Sequence, residues 1–142
     1  MPYTKLWIHM MWSTKNRVHL IDKSLKPVLL LHIKENSLLK KFHIDFHNCV
    51  SDHIHILISL HPDQKLSDVI RLIKGESSHW VNKSKLIKPK FEWQDEYIAV
   101  SVSESMIDKV RDYIKNQEEH HKKLTFMDEY NEFIKKYGFG KE

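Results

Sequence analysis

Three glycines and four prolines in 142 residues leave no room for a Pro/Gly-rich linker or a low-complexity tract, and no internal repeat is visible. The chain therefore reads as one compact unit over residues 1–142. A single cysteine, Cys49, excludes an internal disulfide and fits a reducing cytoplasm. No stretch approaches the ~18 apolar residues of a membrane span, since even "LKPVLLLHI" is broken by Lys26, Pro27 and His32. The start, "MPYTKLWIHM", lacks the charged lead, long apolar core and small-residue cleavage site of a secretory signal. The expectation is a cytoplasmic, non-membrane protein. An excess of acidic residues is also missing: the net charge is +4 and the pI about 9.0, which permits a polyanionic partner without requiring one.

What the chain has in abundance is histidine, eleven in all. Two of them sit in "SDHIHILISL", where Ile54, Ile56 and Ile58 alternate with His53, His55 and Leu57. That alternation predicts a strand with one apolar face and the two imidazoles side by side on the other.

The remaining pattern gives the frame. "TKLWIHMMW" alternates as a strand with Leu6, Ile8, Met10 and Trp12 on one face, and helical spacing follows from Ser24 to about Lys41. "FHIDFHNCV" alternates again, with Phe42, Ile44 and Phe46 inward and His43, Asp45 and His47 outward, and turns near Ser51 into "HIHILISL". Leu66, Val69, Ile70 and Ile73 mark a second amphipathic helix, and "EWQDEYIAVSVS" a last strand with Ile98, Val100 and Val102 inward. A third helix opens near Ser105, where Ser105 and Asp108 have capping-box spacing, and a fourth runs from about Met127 to Lys136. The order β-α-β-β-α-β-α-α predicts an α+β, ferredoxin-like (RRM-like) βαββαβ antiparallel sheet with helices on one face, plus a C-terminal tyrosine-bearing helix. Residues 1–103 form the core in this reading, and 104–142 the added helices. His53 and His55 then stand on the open face, displayed and not buried.

Two neutral imidazoles on one face can share a metal ion. Further ligands must come from elsewhere, and the third helix carries Tyr113 and Gln117 four residues apart, hence on one side. Taken alone, the helix reads first as Tyr113 in an amphipathic core and Gln117 as its solvated neighbour.

The combination of "DHIHILISL", "WQDEYIAVSVSES" and "VRDYIKNQEEHH" resembles the single-tyrosine HUH transposases of the insertion sequence 200/605 family, from about Lys5 to Phe133. His53-Ile54-His55 matches the histidine-hydrophobic-histidine motif. Tyr113, Ile114, Gln117, His120 and His121 match the tyrosine helix. The resemblance implies that His53, His55 and Gln117 bind a divalent ion, Mg2+ or Mn2+, with His120 and His121 as a second shell. It implies that Tyr113 attacks a phosphodiester of single-stranded DNA, giving a 5′-phosphotyrosine, and that the partners are DNA hairpins at the element's ends. It also implies a homodimer with composite sites, one chain's tyrosine on the other's histidines. Two histidines suit manganese better than hard magnesium. Relatives commonly carry glycines after the Trp-Gln pair, whereas Asp95-Glu96-Tyr97-Ile98 has none, which bears on how freely the tyrosine helix moves.

DNA needs a positive surface with stacking partners. Candidates are Lys15 and Arg17 after the first strand, Arg71 and Lys74 on the second helix, and Lys83, Lys85, Lys88 and Lys90 leading to Trp93. Two other classes compete. If the hairpin turns so that Cys49 faces His53 and His47 faces His55, the four make a structural zinc set. Alternatively, a non-catalytic module uses its open sheet to bind single-stranded nucleic acid.

Overall fold

The computed structural model describes residues 3–119 and 125–137. Four antiparallel strands, β1 (Trp7–Ser13), β2 (His43–Val50), β3 (His53–Ser59) and β4 (Ile98–Val102), form one sheet in the order β2-β3-β1-β4. The helices α1 (Leu25–Leu39) and α2 (Leu66–Lys83) supply the two crossovers of the ferredoxin-like plan, followed by α3 (Ile107–Lys115) and α4 (Phe126–Tyr137). Among the described residues no helix is long and apolar enough to cross a membrane.

The period-2 alternation sorts β1 and β3 as expected. Met10, Trp12, Ile54, Ile56 and Ile58 pack under Leu25, Leu29 and Ile33 of α1 and Val69, Ile70, Ile73 and Val81 of α2. The other face is not open. Trp7 and Leu57 pack against Ile107 and Ile114 of α3, while Met11, Ile98 and Val100 pack against Phe126 of α4. Ile98 and Val100 thus point inward to the second layer and not to the first. The sheet is sandwiched, and His53 and His55 are 1% and 0% exposed where they were expected on display. The helices that follow the sheet bring enough apolar surface to cover it.

β2 changes faces midway. Asp45 is an extra residue in the ladder, with Ile44 opposite Ile58 and Phe46 already opposite Leu57. Past this bulge the strand's two sides exchange. Phe46 joins Trp7 and Leu57 beside α3, while His47 points to the α1 side, its Nε2 2.7 Å from the Leu30 carbonyl. Burial, with Lys34 nearby, lowers the His47 pKa despite that hydrogen bond. Asp45 accepts two hydrogen bonds from Arg111 on α3, at 2.7 and 2.8 Å.

Few glycines do not prevent sharp helix ends. Lys41 (φ 63°) after α1 and Lys85 (φ 52°) after α2 take the left-handed conformation that glycine usually fills. Phe42 N–H then reaches back to the Ser37 carbonyl, and Leu86 N–H to that of Val81. At the other end of α1, Asp22 Oδ1 accepts the Leu25 N–H at 2.7 Å. The Ser105–Asp108 capping box does not form: Ser105 lies in a 3-10 turn (Glu104–Met106), and Asp108 pairs with Arg111.

Candidate active site

Strand β3 puts His53 and His55 on the α3/α4 face, and the neighbouring backbone orients both rings. The two-residue loop Ser51–Asp52 closes the β2–β3 hairpin, with Val50 opposite His53. This loop is held by Thr14 N–H on the Asp52 carbonyl and Ile21 N–H on the Ser51 carbonyl. Asp52 Oδ1 then lies 2.8 Å from His53 Nδ1. A carboxylate there fixes the proton on Nδ1 and turns Nε2 inward, the second-shell arrangement usual behind a metal-binding histidine.

His55 has a different partner. His9, on the same face of β1, places Nε2 2.9 Å from His55 Nδ1. His9 is 5% exposed; burial and the adjacent His55 push its pKa down to about 3, so it is neutral. A neutral imidazole nitrogen either donates or accepts, according to tautomer. His9 can therefore support His55 with a proton on Nε2 or with a lone pair there.

Both Nε2 atoms converge on Glu129 of α4. Its Oε1 lies 3.0 Å from His53 Nε2 and 3.3 Å from His55 Nε2. Its Oε2 accepts hydrogen bonds from the Tyr113 hydroxyl and, at 3.4 Å, from Gln117 Nε2. Gln117 Oε1 is 3.3 Å from His53 Nε2. The structure brings together the four residues expected from the sequence, His53, His55, Tyr113 and Gln117, and adds Glu129 and His9, which the sequence reading does not name. Both left signals. Phe126, Glu129, Tyr130 and Phe133 share one face of α4, an acid inside an apolar stripe, and His9 shares its strand face with Met11, the cross-strand partner of His55.

The cluster's electrostatics follow from its burial. Burial would raise the Glu129 pKa, but hydrogen bonds from His53 and His55 outweigh it and hold the carboxyl far below its usual range. Burial would lower the His53 pKa, yet hydrogen bonds to Asp52 and Glu129 raise it to about 9. Tyr113 is pushed well above 10, first by burial and then by the Glu129 charge, so the phenol is neutral at rest.

Local packing explains how Gln117 arrives. Asn48 of β2 donates Nδ2 to the carbonyls of Ile114 (2.9 Å) and Lys115 (3.2 Å), capping α3. The chain turns at Asn116, and Gln117 enters the site at 1% exposure. His120 and His121 lie outside the described residues.

The donor set fits a divalent metal. His53, His55 and Glu129 hold ligand atoms within 4.8 Å of one another, and each imidazole has a partner behind it. The zinc alternative fails on geometry. The register pairs Asn48 with His55 and Val50 with His53, so Cys49 lies in the α1/α2 core and His47 faces α1, both across the sheet from His53 and His55. Burial also pushes the Cys49 thiol up to about 12, which disfavours a thiolate.

The expected DNA-binding residues divide. Lys15, Arg17, Arg71, Lys83, Lys85, Lys88 and Lys90 are exposed, with Lys15 beside Glu92 at 3.3 Å and Arg71 beside Asp68 at 3.5 Å. Lys74 is half-buried, donating to the Asp95 carbonyl at 2.9 Å. Arg71, Lys74 and Lys90 line a groove of about 690 Å³ beside α2, on the far face of the sheet from Tyr113. Trp93 is a correction: it is core, 8% exposed, edge-on to Trp12 and Phe91, with Nε1 donating to Ser77 Oγ at 2.9 Å. Only a small part of its surface borders the groove beside α2.

The fold has solved counterparts. A protein from Deinococcus radiodurans R1 described as a candidate transposase superposes with a TM-score of 0.67 at 22% identity, over 82% of this chain and 93% of its own. A REP-associated tyrosine transposase, solved bound to a REP hairpin, gives 0.65 at 18% identity, over 85% of this chain and 72% of its own. No curated protein matches the sequence. The profile of the IS200-like transposases does match, over residues 2–117, a span that takes in the histidine pair, Tyr113 and Gln117. The chain belongs to the IS200-like transposase family.

Proposed function

We propose that this transposase cuts and rejoins single-stranded DNA at hairpin-bearing element ends through a 5′-phosphotyrosine on Tyr113. One observation carries the reading: the Tyr113 hydroxyl and the Nε2 atoms of His53 and His55 converge on a single carboxylate, Glu129. Nucleophile and metal ligands therefore share one anion-sized position.

A phenol of pKa near 10 is ~0.1% ionised at pH 7, a deficit of about 4 kcal/mol for phenolate attack. Burial beside Glu129 deepens it in the resting site. His53, His55 and Gln117 would hold Mg2+ or Mn2+, with Glu129 as a further ligand only until DNA takes its place, and the ion supplies charge stabilisation at the non-bridging oxygens when bound. Tyr113 Oη attacks phosphorus, the bond to the 3′ oxygen breaks, and that oxygen leaves as a hydroxyl. Phenolate is a better leaving group than an alkoxide, so a free 3′-hydroxyl can reverse the step and rejoin DNA without external energy.

We place Tyr113 over its own chain's histidines. The link from β4 to α3 is only Ser103 and the 3-10 turn at Glu104–Met106, pinned by the Trp7 Nε1–H bond to Glu104. The homodimer with exchanged tyrosine helices that the family resemblance implies needs this link to open.

The test is incubation with a pool of single-stranded hairpins and Mn2+. Wild type is expected to form a covalent protein–DNA band that Tyr113→Phe lacks while still binding hairpins. A band that persists in Tyr113→Phe overturns the assignment.

A further inference from the structure

We propose that two cavities flanking Glu129 are the subsites for the two nucleosides joined by the scissile phosphate. The proposal rests on Tyr113 being the nucleophile. Glu129 presents two oxygens on one planar centre, one toward both imidazoles and one toward the Tyr113 hydroxyl. Two non-bridging oxygens of a phosphodiester in that position make the same contacts. Glu129 thus keeps the phosphate's place, and DNA enters when its side chain swings out while α4, which carries Phe133 and Tyr130, stays in position.

Space opens at both ends of this position. Beside the nucleophile is a cavity of about 260 Å³ lined by His9, Lys109, Tyr113, Glu132, Phe133 and Lys136, among others. At the other end, one of about 300 Å³ is lined by Ser13, Asn16, Arg17, Gln94, Glu96 and Tyr130, among others. His9 and Ser13 lie four residues apart on one face of β1, ~13 Å at strand rise. Met11, opposite His55, lies midway between them. Ser13 itself is opposite His53, so His55 falls between the cavities and His53 lies level with the second.

The lining chemistry suits nucleosides. Phe133 in one cavity and Tyr130 in the other offer ring surface for base stacking. The Arg17 guanidinium and the Asn16 and Gln94 amides offer hydrogen-bonding edges in the second. Asn16 and Arg17 both hold φ of 56°, a conformation that costs energy in residues other than glycine and clusters at functional sites.

In-line displacement fixes the polarity. The attacking and departing oxygens lie on opposite sides of phosphorus. The Tyr113 Oη–P bond forms, the P–O3′ bond breaks, the phenolic proton is lost and the 3′ oxygen gains one. The departing nucleoside, 5′ of the cut, belongs in the Arg17 cavity away from Tyr113. The nucleoside that stays attached through its 5′ phosphate belongs in the Phe133 cavity.

The experiment begins with sequencing of covalent adducts formed by wild type from a randomised single-stranded hairpin pool with Mn2+. The base on each side of the cut is then replaced in turn by an abasic site. Affinity is measured by fluorescence anisotropy in the Tyr113→Phe background, and cleavage in the wild-type background. Each lesion is expected to weaken binding by about fivefold to a hundredfold. Arg17→Ala should remove the penalty of the 5′ lesion only, and Phe133→Leu that of the 3′ lesion only. Should Phe133→Leu lower the melting temperature sharply, Lys109→Met probes the same cavity. A covalent adduct whose two lesions respond alike to both variants overturns the subsites alone. No adduct with wild type overturns the tyrosine reading, and the subsites with it.

Discussion

The ring nitrogens His9 Nε2 and His55 Nδ1 lie 2.9 Å apart inside the sheet's second layer. At rest, with a carboxylate at His55 Nε2, that nitrogen carries the proton and His9 donates to Nδ1. Metal binding needs the opposite tautomer, with His9 accepting. A phenylalanine fills the space but does neither. His9→Phe should therefore weaken Mn2+ binding about 10–100-fold. Titration followed by electron paramagnetic resonance measures it, and an unchanged affinity would leave His9 a packing residue only.

Removing His53 is not the mild change that an exposed side chain would allow. His53→Ala leaves Asp52 and Glu129 buried beside a hole, and breaking a buried pair costs about 3–5 kcal/mol. The expected result is a clear fall in melting temperature together with loss of Mn2+ binding. His53→Gln, which can still donate to Glu129, should lose metal with a smaller thermal penalty. Equal melting of His53→Ala and wild type would contradict the burial.

Glu129→Gln removes a negative charge from the position assigned to phosphate. In the Tyr113→Phe background it should tighten binding of a single-stranded oligonucleotide about tenfold, since apposed like charges cost several kcal/mol. Weaker binding would mean that Glu129 does not compete with DNA for that place.

His47 gives a pH signature away from the metal ligands. Burial and Lys34 lower its folded pKa below the unfolded value of about 6.5, the Leu30 carbonyl only partly opposing them. Below that pH the unfolded chain binds a proton that the folded chain resists, so stability falls as pH drops through the window just under 6.5. His47→Gln should flatten this part of the stability profile. An unchanged slope in urea melts at pH 5 to 7 would remove His47 as its source.

Chain exchange tests where Tyr113 acts. Inactive Tyr113→Phe mixed with inactive His53→Gln is expected to stay inactive, because each site draws both residues from one chain. Recovery to about one quarter of wild-type cleavage, the ceiling for randomly mixed dimers with one whole site each, would place the tyrosine on a partner's histidines.

Strands β1 and β3 were legible because their alternation separates isoleucines from histidines without interruption. The bulge in β2 was not. Both faces of the sheet are covered, so Phe46 and His47 could exchange sides without leaving an apolar residue in water or a pattern in the sequence to betray it. The same two-sided burial hid the environment of His53 and His55: the helices that cover them are distant in sequence, and only the Phe126-Tyr130-Phe133 stripe hinted at a surface needing cover. Trp93 followed a run of lysines and so read as a stacking platform, whereas its partner is Ser77, 16 residues away. Helical spacing puts Tyr113 and Gln117 on one side of a helix, but their role came from the family resemblance and not from the spacing.

From His53 to Ile58, β3 is buried at six consecutive positions. A map of tolerated substitutions would consequently show one unbroken intolerant block there, core and chemistry alike. Sorting the same variants by two axes, thermal midpoint and manganese affinity, should split the block. Ile54, Ile56 and Ile58 should fall on the first axis alone, together with Leu57 of the other face, and His53 and His55 on both. From His53 to Ile56 the strand would then carry two interleaved selective pressures, one per face, with a period of two residues.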